Sequence, residues 1–374
     1  MAEYLTNTTD LTKVASAIRE KGGTSDPLVY PDGFATAIQA IQTGTELKIV
    51  VSVTSGATVT ATKGSLSVSG TSINGMCRLT VPEAGTWSVS AKLGIQTSDT
   101  QMVSLADEYS ATLLFLGPLN DNDWETIRSV SDAGQGANYW SVGDRKAVTL
   151  NGTVGALTLS NFTTYAFIIG FNHNSSLEGT NRIHFQLAKD ALSGGTDVCF
   201  CDSSYNSTVS VTGYFSMNSS QTAVGGWESS QMRTSICGTS LSSAAGTIIA
   251  IIPEALRAVL KSVTKYTDNM GNGDPTASAV TATTDYFFLL SEYEVFGRNA
   301  RANRNEGTKQ AQYTYYSAGN SKTKYKHSAT STAADWWSRS PLSGNTMKFV
   351  LESGQSPVFE HANYSLGFAP GFCV

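Results

Sequence analysis

The chain is short of charge. Only 15% of its 374 residues are Asp, Glu, Lys or Arg, against ~25% in an ordinary soluble domain. Ser, Thr, Asn and Gly stand in their place. Hydrophobic content is ordinary at 40%, which excludes a disordered chain. Low charge with many small polar residues points to β structure and exposed loops. The net charge of −5 offers no clustered cations to expect nucleic acid. Long apolar runs are also missing: "TIIAIIPEAL" and "YFFLLSEYEVF" are too short to span a bilayer, so no membrane insertion is expected. "MAEYLTNTTD" has neither a basic nor an apolar region of a secretory signal. No C-x-x-C pair exists among the five cysteines, so zinc-site spacing is absent, and buried free thiols in a reducing cytosol are expected.

Familiar catalytic signatures are absent too. There is no phosphate loop, no dinucleotide fingerprint and no nucleophile elbow. The four histidines, His173, His184, His327 and His361, show no i, i+4 metal spacing. His184 is expected at a strand edge, and His361 is the one expected to meet a ligand. "DNMGNGDPTASA" starts like a calcium loop at Asp268, but Met270 and Ala279 stand where oxygen ligands are needed, so it reads as a turn. No metal and no cofactor are expected.

What is there falls into three parts. At 374 residues, two or three domains are expected, with a sizeable core. Residues 1–43 read as two short helices. Asp10 would cap the first, with Leu11, Val14 and Ile18 as its buried stripe and Gly22 and Gly23 as its stop; Phe34, Ile38 and Ile41 would form the second stripe. Such a pair buries too little to stand alone. Residues 46–117 are a series of period-two runs such as "LKIVVSV" and "TWSVSAKLG", broken by Gly, Asn or Pro. They predict a small β-sandwich with Trp87 in its core. Residues 118–374 form a large C-terminal domain. "DWETIRSVSDAG" opens it as a helix, and "YWSVGDRKAVTL" and "YAFIIGFNHN" are strand-like. "PEALRAVLKSVTK" reads as an amphipathic helix burying Leu256, Val259, Leu260 and Val263. "DYFFLLSEYEVFG" reads as buried, and the stretch from Asn305 to Thr330, with Tyr313, Tyr315 and Tyr316, as a long polar insertion. The fold class expected is α+β, β-rich.

The last 39 residues, "WWSRSPLSGNTMKFVLESGQSPVFEHANYSLGFAPGFCV", carry most of the functional signal. Trp336, Trp337, Arg339 and Pro341 stand at one side and Gly367, Pro370, Gly371 and Phe372 at the other. Between them lie residues of mixed chemistry. At least one of the two tryptophans is expected in the core. The order of segments resembles known proteins. "LTKVASAIREKGGTSDPLVYPDGFATAIQAI" resembles a module of phage tail proteins, and "ATVTATKGSLSVSGTS…CRLTVPEAGTWSVSAKLG" resembles immunoglobulin-like or carboxypeptidase-regulatory-like modules. From Trp124 onward, "WETIRSVSDAGQGANYWSVGDRKAVTLNG", "IIGFNHN", "SSQMRTSI", "FFLLSEYEVFG", "WWSRSP" and "GFAPGFCV" resemble an uncharacterised family with a C-type-lectin-like fold. Ser338 replaces that family's usual bulky residue, and Phe368 stands where Val is frequent.

Members of that group include variable proteins of diversity-generating retroelements. The resemblance implies a framed scaffold that displays diversified, ligand-facing residues: Ser338, Asn345, Met347, Lys348, Gln355, Phe359, His361, Asn363 and Tyr364. They flank turns set by Gly344, Gly354 and Pro357. Further implied are a phage-tail receptor-binding role in the virion, a bacterial surface protein or glycan as ligand, other tail proteins as partners, and a homotrimer gaining strength from several copies. Catalysis is not expected. The same fold hosts formylglycine-generating-type oxidases, which need reactive cysteines near a groove. A purely structural tail or capsid decoration protein is a further reading.

Overall fold

The computed structural model describes residues 8–22, 27–30, 32–40, 47–93, 96–98, 100–106, 108–112, 117–201, 215–242, 244–355 and 359–374. The chain is α+β and β-rich. It divides into two compact units, residues 1–115 and 116–374.

In the first unit, helices Thr8–Gly22 and Asp32–Ala40 bury Ala15, Ile18 and Phe34, with Leu11, Leu28 and Ala37 packed against them. The buried stripe is Leu11, Ala15, Ile18, at i, i+4, i+7. The expected Val14 and Ile38 point outward, 47% and 52% exposed. Rotating the stripe by one position lets Ala15 bring the helices close, which Val14 would not. Asp10 lies inside the helix rather than at its cap. Gly23 and Ile41 lie outside the described residues.

The β segments of this unit make two sheets around one core. Thr58–Lys63, Leu66–Thr71, Gly85–Leu93, Gln96–Thr97 and Gln101–Leu105 form one; Lys48–Ser52, Met76–Thr80 and Glu108–Thr112 form the other. Alternation places Ile49, Val51 and Val53 inward, where they share a core with Val59, Ala61, Val89 and Val103. Trp87 is fully buried at its centre, and its Nε1 donates to Glu83 O at 3.1 Å.

The second unit is built on a five-stranded antiparallel sheet in the order Phe287–Phe288, Gly371–Cys373, Ile183–Lys189, Leu157–Phe171, Arg145–Val154. The C-terminal strand is thus an inner strand. Phe372 stacks on Phe185 at 5.2 Å and meets Trp124 edge-on at 6.2 Å. Glycine is required beside it: a Cβ on Gly371 would lie 2.8 Å from the Phe288 ring, and one on Gly367 would lie 2.3 Å from Cys199 Sγ. Helix Trp124–Asp132 covers this sheet with Trp124, Ile127 and Val130, and Asp123 caps it by accepting from Thr126 N at 2.7 Å.

Three expectations for this unit change. The helix after Pro253 ends at Val259; Leu260 is extended and Val263 opens the strand Val263–Asp268. Pairing with Val280–Asp285 takes the β-branched run Val263, Thr264 into a hairpin instead. His184 is on a central strand, not at an edge, and fully buried. The supposed polar insertion turns its tyrosines inward: Tyr313, Tyr315 and Tyr316 are buried, with hydroxyls bonded to Lys265, Asp197 and Gln186. A partnered hydroxyl lets the ring go inside. All five cysteines are free and buried. Among the described residues, no helix is long and apolar enough to cross a membrane.

Candidate functional site

The C-terminal face rests on a second sheet, Trp336–Ser343, Thr346–Val350 and Phe359–His361. Both tryptophans frame it from inside. Trp336 and Trp337 are fully buried, and their indole nitrogens donate to Lys322 O and Phe215 O, each at 3.0 Å. Arg339 anchors the same strand. Its guanidinium grips Glu294 in a two-pronged pair, with Nη2 at 3.0 Å from Oε1, and also donates to Thr267 Oγ1 at 2.8 Å and Leu289 O at 2.7 Å.

This pair is one end of a buried ionic network. Lys265 Nζ donates to Glu294 at 2.9 Å, Glu178 at 2.7 Å and the Tyr313 hydroxyl at 2.8 Å. His173 stacks on Tyr313 at 3.7 Å. Burial alone would raise the Glu294 carboxyl; Arg339 and Lys265 overcome it and hold it well below the usual carboxylate range. Glu178 lacks the second cation, and burial lifts it to about 7. Burial, with Lys265 adding repulsion, presses His173 down to about 3. His173, Glu178 and Glu294 bring three possible ligand atoms within 4.8 Å of one another. Sequence spacing could not show this, because the three sit on separate elements. The chemistry does not suit a divalent ion, since Lys265 already lies between the carboxylates and Arg339 beside one of them.

The exposed face is narrower than the sequence suggests. Ser338, Met347 and Lys348 are buried and leave the candidate set. The strand Thr346–Val350 is paired on both sides and covered on both faces, so neither parity of its side chains reaches solvent. Ser338 Oγ donates to Lys348 O at 3.2 Å. What reaches the surface comes from the edge strand and its turns. Phe359 is 42% exposed; Asn345 and Gln355 are exposed; His361, Asn363 and Tyr364 are half-buried. Phe359 pairs with Lys348 and His361 with Thr346, which puts these four on one face of the sheet. His361 and Tyr364 meet edge-on at 5.2 Å. Asn345 O accepts from Ala362 N at 3.0 Å, tying its turn to this group. Gln355 ends its described turn, and Pro357 lies outside the described residues.

A residue the sequence reading did not single out completes the face. The exposed Arg301 holds its guanidinium 5.9 Å from the Phe359 ring centroid. It also lines a small cavity of about 150 Å³, with Asp268, Gly271, Gly273, Pro275, Asn303, Pro341 and Leu342. Asp268 is spent on the turn there: its carboxylate accepts from Met270 N and Gly271 N, each at 3.0 Å, and from Asn303 Nδ2 at 2.9 Å. A wider cleft of about 460 Å³ lies at 118–121, 143–145 and 192–194, among none of these residues. Its Arg145 is occupied by the carbonyls of Ala191 and Gly194.

Comparison with known proteins gives one family match. Residues 207–374 match the model of a domain of unknown function (DUF6273). This span includes Lys265, Glu294, Arg339 and the whole exposed face, and leaves out His173 and Glu178. No curated protein matches, and no solved structure matches.

Proposed function

We propose that this chain is a phage-tail-associated receptor-binding protein whose C-terminal unit recognises a bacterial surface ligand. In this reading the helix pair attaches to other tail proteins, an immunoglobulin-like sandwich acts as spacer, and a C-type-lectin-like unit presents the binding face in a homotrimer. The observation that carries it is the pairing of Phe359 with Arg301 beside His361 and Tyr364, all exposed or half-exposed, at an edge strand whose neighbouring strand Thr346–Val350 is buried. Aromatic rings with small polar side chains on a rigid base suit recognition, as in antibody binding loops. Retroelement diversification of this face is part of the proposal and concerns Asn345, Gln355, Phe359, His361, Asn363 and Tyr364.

The oxidase reading draws little support. Burial pushes the Cys373 thiol up to about 12 and Cys237 well above its usual range, so neither tends to the thiolate that such chemistry needs. The test is cell binding by the full chain, with and without chelator, beside the combined variant Phe359→Ala, His361→Ala, Tyr364→Ala. Binding should survive chelation and fall at least about tenfold in the variant. Full retention by a folded variant would move the site off this face, and loss with chelator would restore a calcium-lectin mechanism.

A further inference from the structure

The loop after the helix Glu292–Phe296 reads "RNARANR", three arginines at 298, 301 and 304 in seven residues of a chain with net charge −5. Arg298, Arg301 and Arg304 are all exposed. Among the described residues, none of the three pairs with a carboxylate. The bland account of such a run is a solvated loop. Two observations argue against it.

The first is how the loop is held. The buried Glu292 carboxylate accepts from Ala300 N at 3.0 Å and Ala302 N at 3.1 Å, pinning both neighbours of Arg301. Asn299 Nδ2 donates to Asn303 O at 2.6 Å, and Asn303 Nδ2 donates to Thr276 O and to Asp268. Asn305 Nδ2 donates to Pro275 O at 2.7 Å. Every non-arginine side chain longer than alanine from 299 to 305 is thus spent on fixing the backbone, while the arginines are left outward. Burying a carboxylate to fix a loop is costly, and a solvated loop has no use for it.

The second is what lies beside it. Arg301 lines the 150 Å³ cavity and holds its guanidinium over the Phe359 ring. Beneath, burial lowers the Lys348 ammonium; Glu292 raises it in part, and Arg301 lowers it further, so the two cations share one locality. The cavity's own acid, Asp268, is committed to its turn. Consecutive arginine Cα atoms lie within roughly 11 Å of each other, three residues of extended chain. Three exposed guanidinium forks on one pinned loop, beside a small pocket and an exposed aromatic ring, fit a chain of rings bearing repeated anions.

We infer that Arg298, Arg301 and Arg304 bind an acidic surface polysaccharide, with one carboxylate or phosphate per fork and one sugar ring reaching the cavity at Arg301. This deepens the recognition reading above and rests on it. A nucleic acid is disfavoured because the rest of the chain is net negative and would oppose a long polyanion.

The experiment uses the full chain and four probes: labelled oligogalacturonate, a phosphorylated mannan, neutral dextran and single-stranded DNA. Variants are the triple Arg298→Gln, Arg301→Gln, Arg304→Gln, the single Arg301→Lys, and Arg78→Gln as a control on an exposed arginine of the other unit. The expected result is binding to one or both acidic carbohydrates, weakened as salt rises. The triple variant should lose at least about tenfold, Arg301→Lys should lose part, and Arg78→Gln nothing. The two acidic probes tell carboxylate from phosphate. Equal binding of dextran, an unaltered triple variant, or no binding to either acidic probe would overturn the inference. DNA bound as tightly, through the same arginines, would replace the polysaccharide with a nucleic acid. Cell binding kept by the triple variant but lost on changing Phe359, His361 and Tyr364 would sink this inference and leave the recognition reading standing.

Discussion

Arg339→Met isolates the frame from the face it supports. The side chain is fully buried, and Met keeps its unbranched aliphatic stem without the charged guanidinium. The change removes both prongs on Glu294 and the donors to Leu289 O and Thr267 Oγ1. Glu294 keeps Lys265 at 2.9 Å, so its charge is weakened in support rather than stranded. Breaking one side of a buried pair costs about 3–5 kcal/mol, a large share of the 5–15 kcal/mol that holds a typical domain together. Urea unfolding of the full chain, followed by tryptophan fluorescence, would report it, since Trp336 and Trp337 are on the same strand as Arg339. Adding Glu294→Gln tests the cause: the double variant should cost less than the sum of the singles by more than ~1 kcal/mol. A loss below ~1 kcal/mol for Arg339→Met, or strict additivity, would refute the claim that this pair anchors the strand.

Trp337→Ala should cost about 3–5 kcal/mol by cavity formation and loss of its bond to Phe215 O. Asn363→Ala should be neutral or slightly stabilising, because its Oδ1 is buried with no partner among the described residues; equal destabilisation by the two changes would mean that frame and face are misassigned. The pH dependence follows from opposed shifts. His173, lowered to about 3, and His184, well below its usual value, bind fewer protons when folded, so their contribution falls as pH drops below about 6.5. Glu178 and Glu306, raised to about 7, hold protons when folded, so their contribution is greatest in acid and is lost as pH rises through about 7. The two pairs cancel between roughly pH 4.5 and 6.5, and below that the histidines act unopposed while the unfolded chain begins to protonate Glu294, which the folded protein keeps ionised, for a slope of about 2–4 kcal/mol per pH unit. Urea midpoints from pH 3.5 to 8 should be nearly level in the middle and fall steeply below 4.5; a maximum at pH 4 would contradict the burial of neutral histidines.

Local signals were legible where one element decided its own fate. The run "DWETIRSVSDAG" marked a short helix, and Trp124 and Ile127, three apart, both lie on its buried side. Alternation around Ile49 and Val51 gave a half-buried strand. Reading failed where a distant partner decided. "PEALRAVLKSVTK" has a helical stripe, yet the hairpin with Val280–Asp285 claims its end. The stretch around Tyr313 looks polar because sequence cannot show that Lys265, Asp197 and Gln186 wait for its hydroxyls. Glu294 carried a visible hint, the capping box with Ser291, but its meeting with Arg339 across 45 residues did not.

The same limit governs the face. Residue type alone placed Met347 and Lys348 beside Asn345, since all look variable in a loosely patterned stretch. Position separates them. A strand paired on both sides and layered on both faces has no free parity, so Met347 fills the core on one side and Lys348 approaches Glu292 on the other. Only an edge strand and the turns joining it can vary without opening a cavity or stranding a charge. That confines the changeable surface to Asn345, Gln355, Phe359, His361, Asn363 and Tyr364. The arginine loop is held apart from that sheet: the Glu292 carboxylate fixes the backbone on both sides of Arg301, so changes on the edge strand leave that backbone anchored.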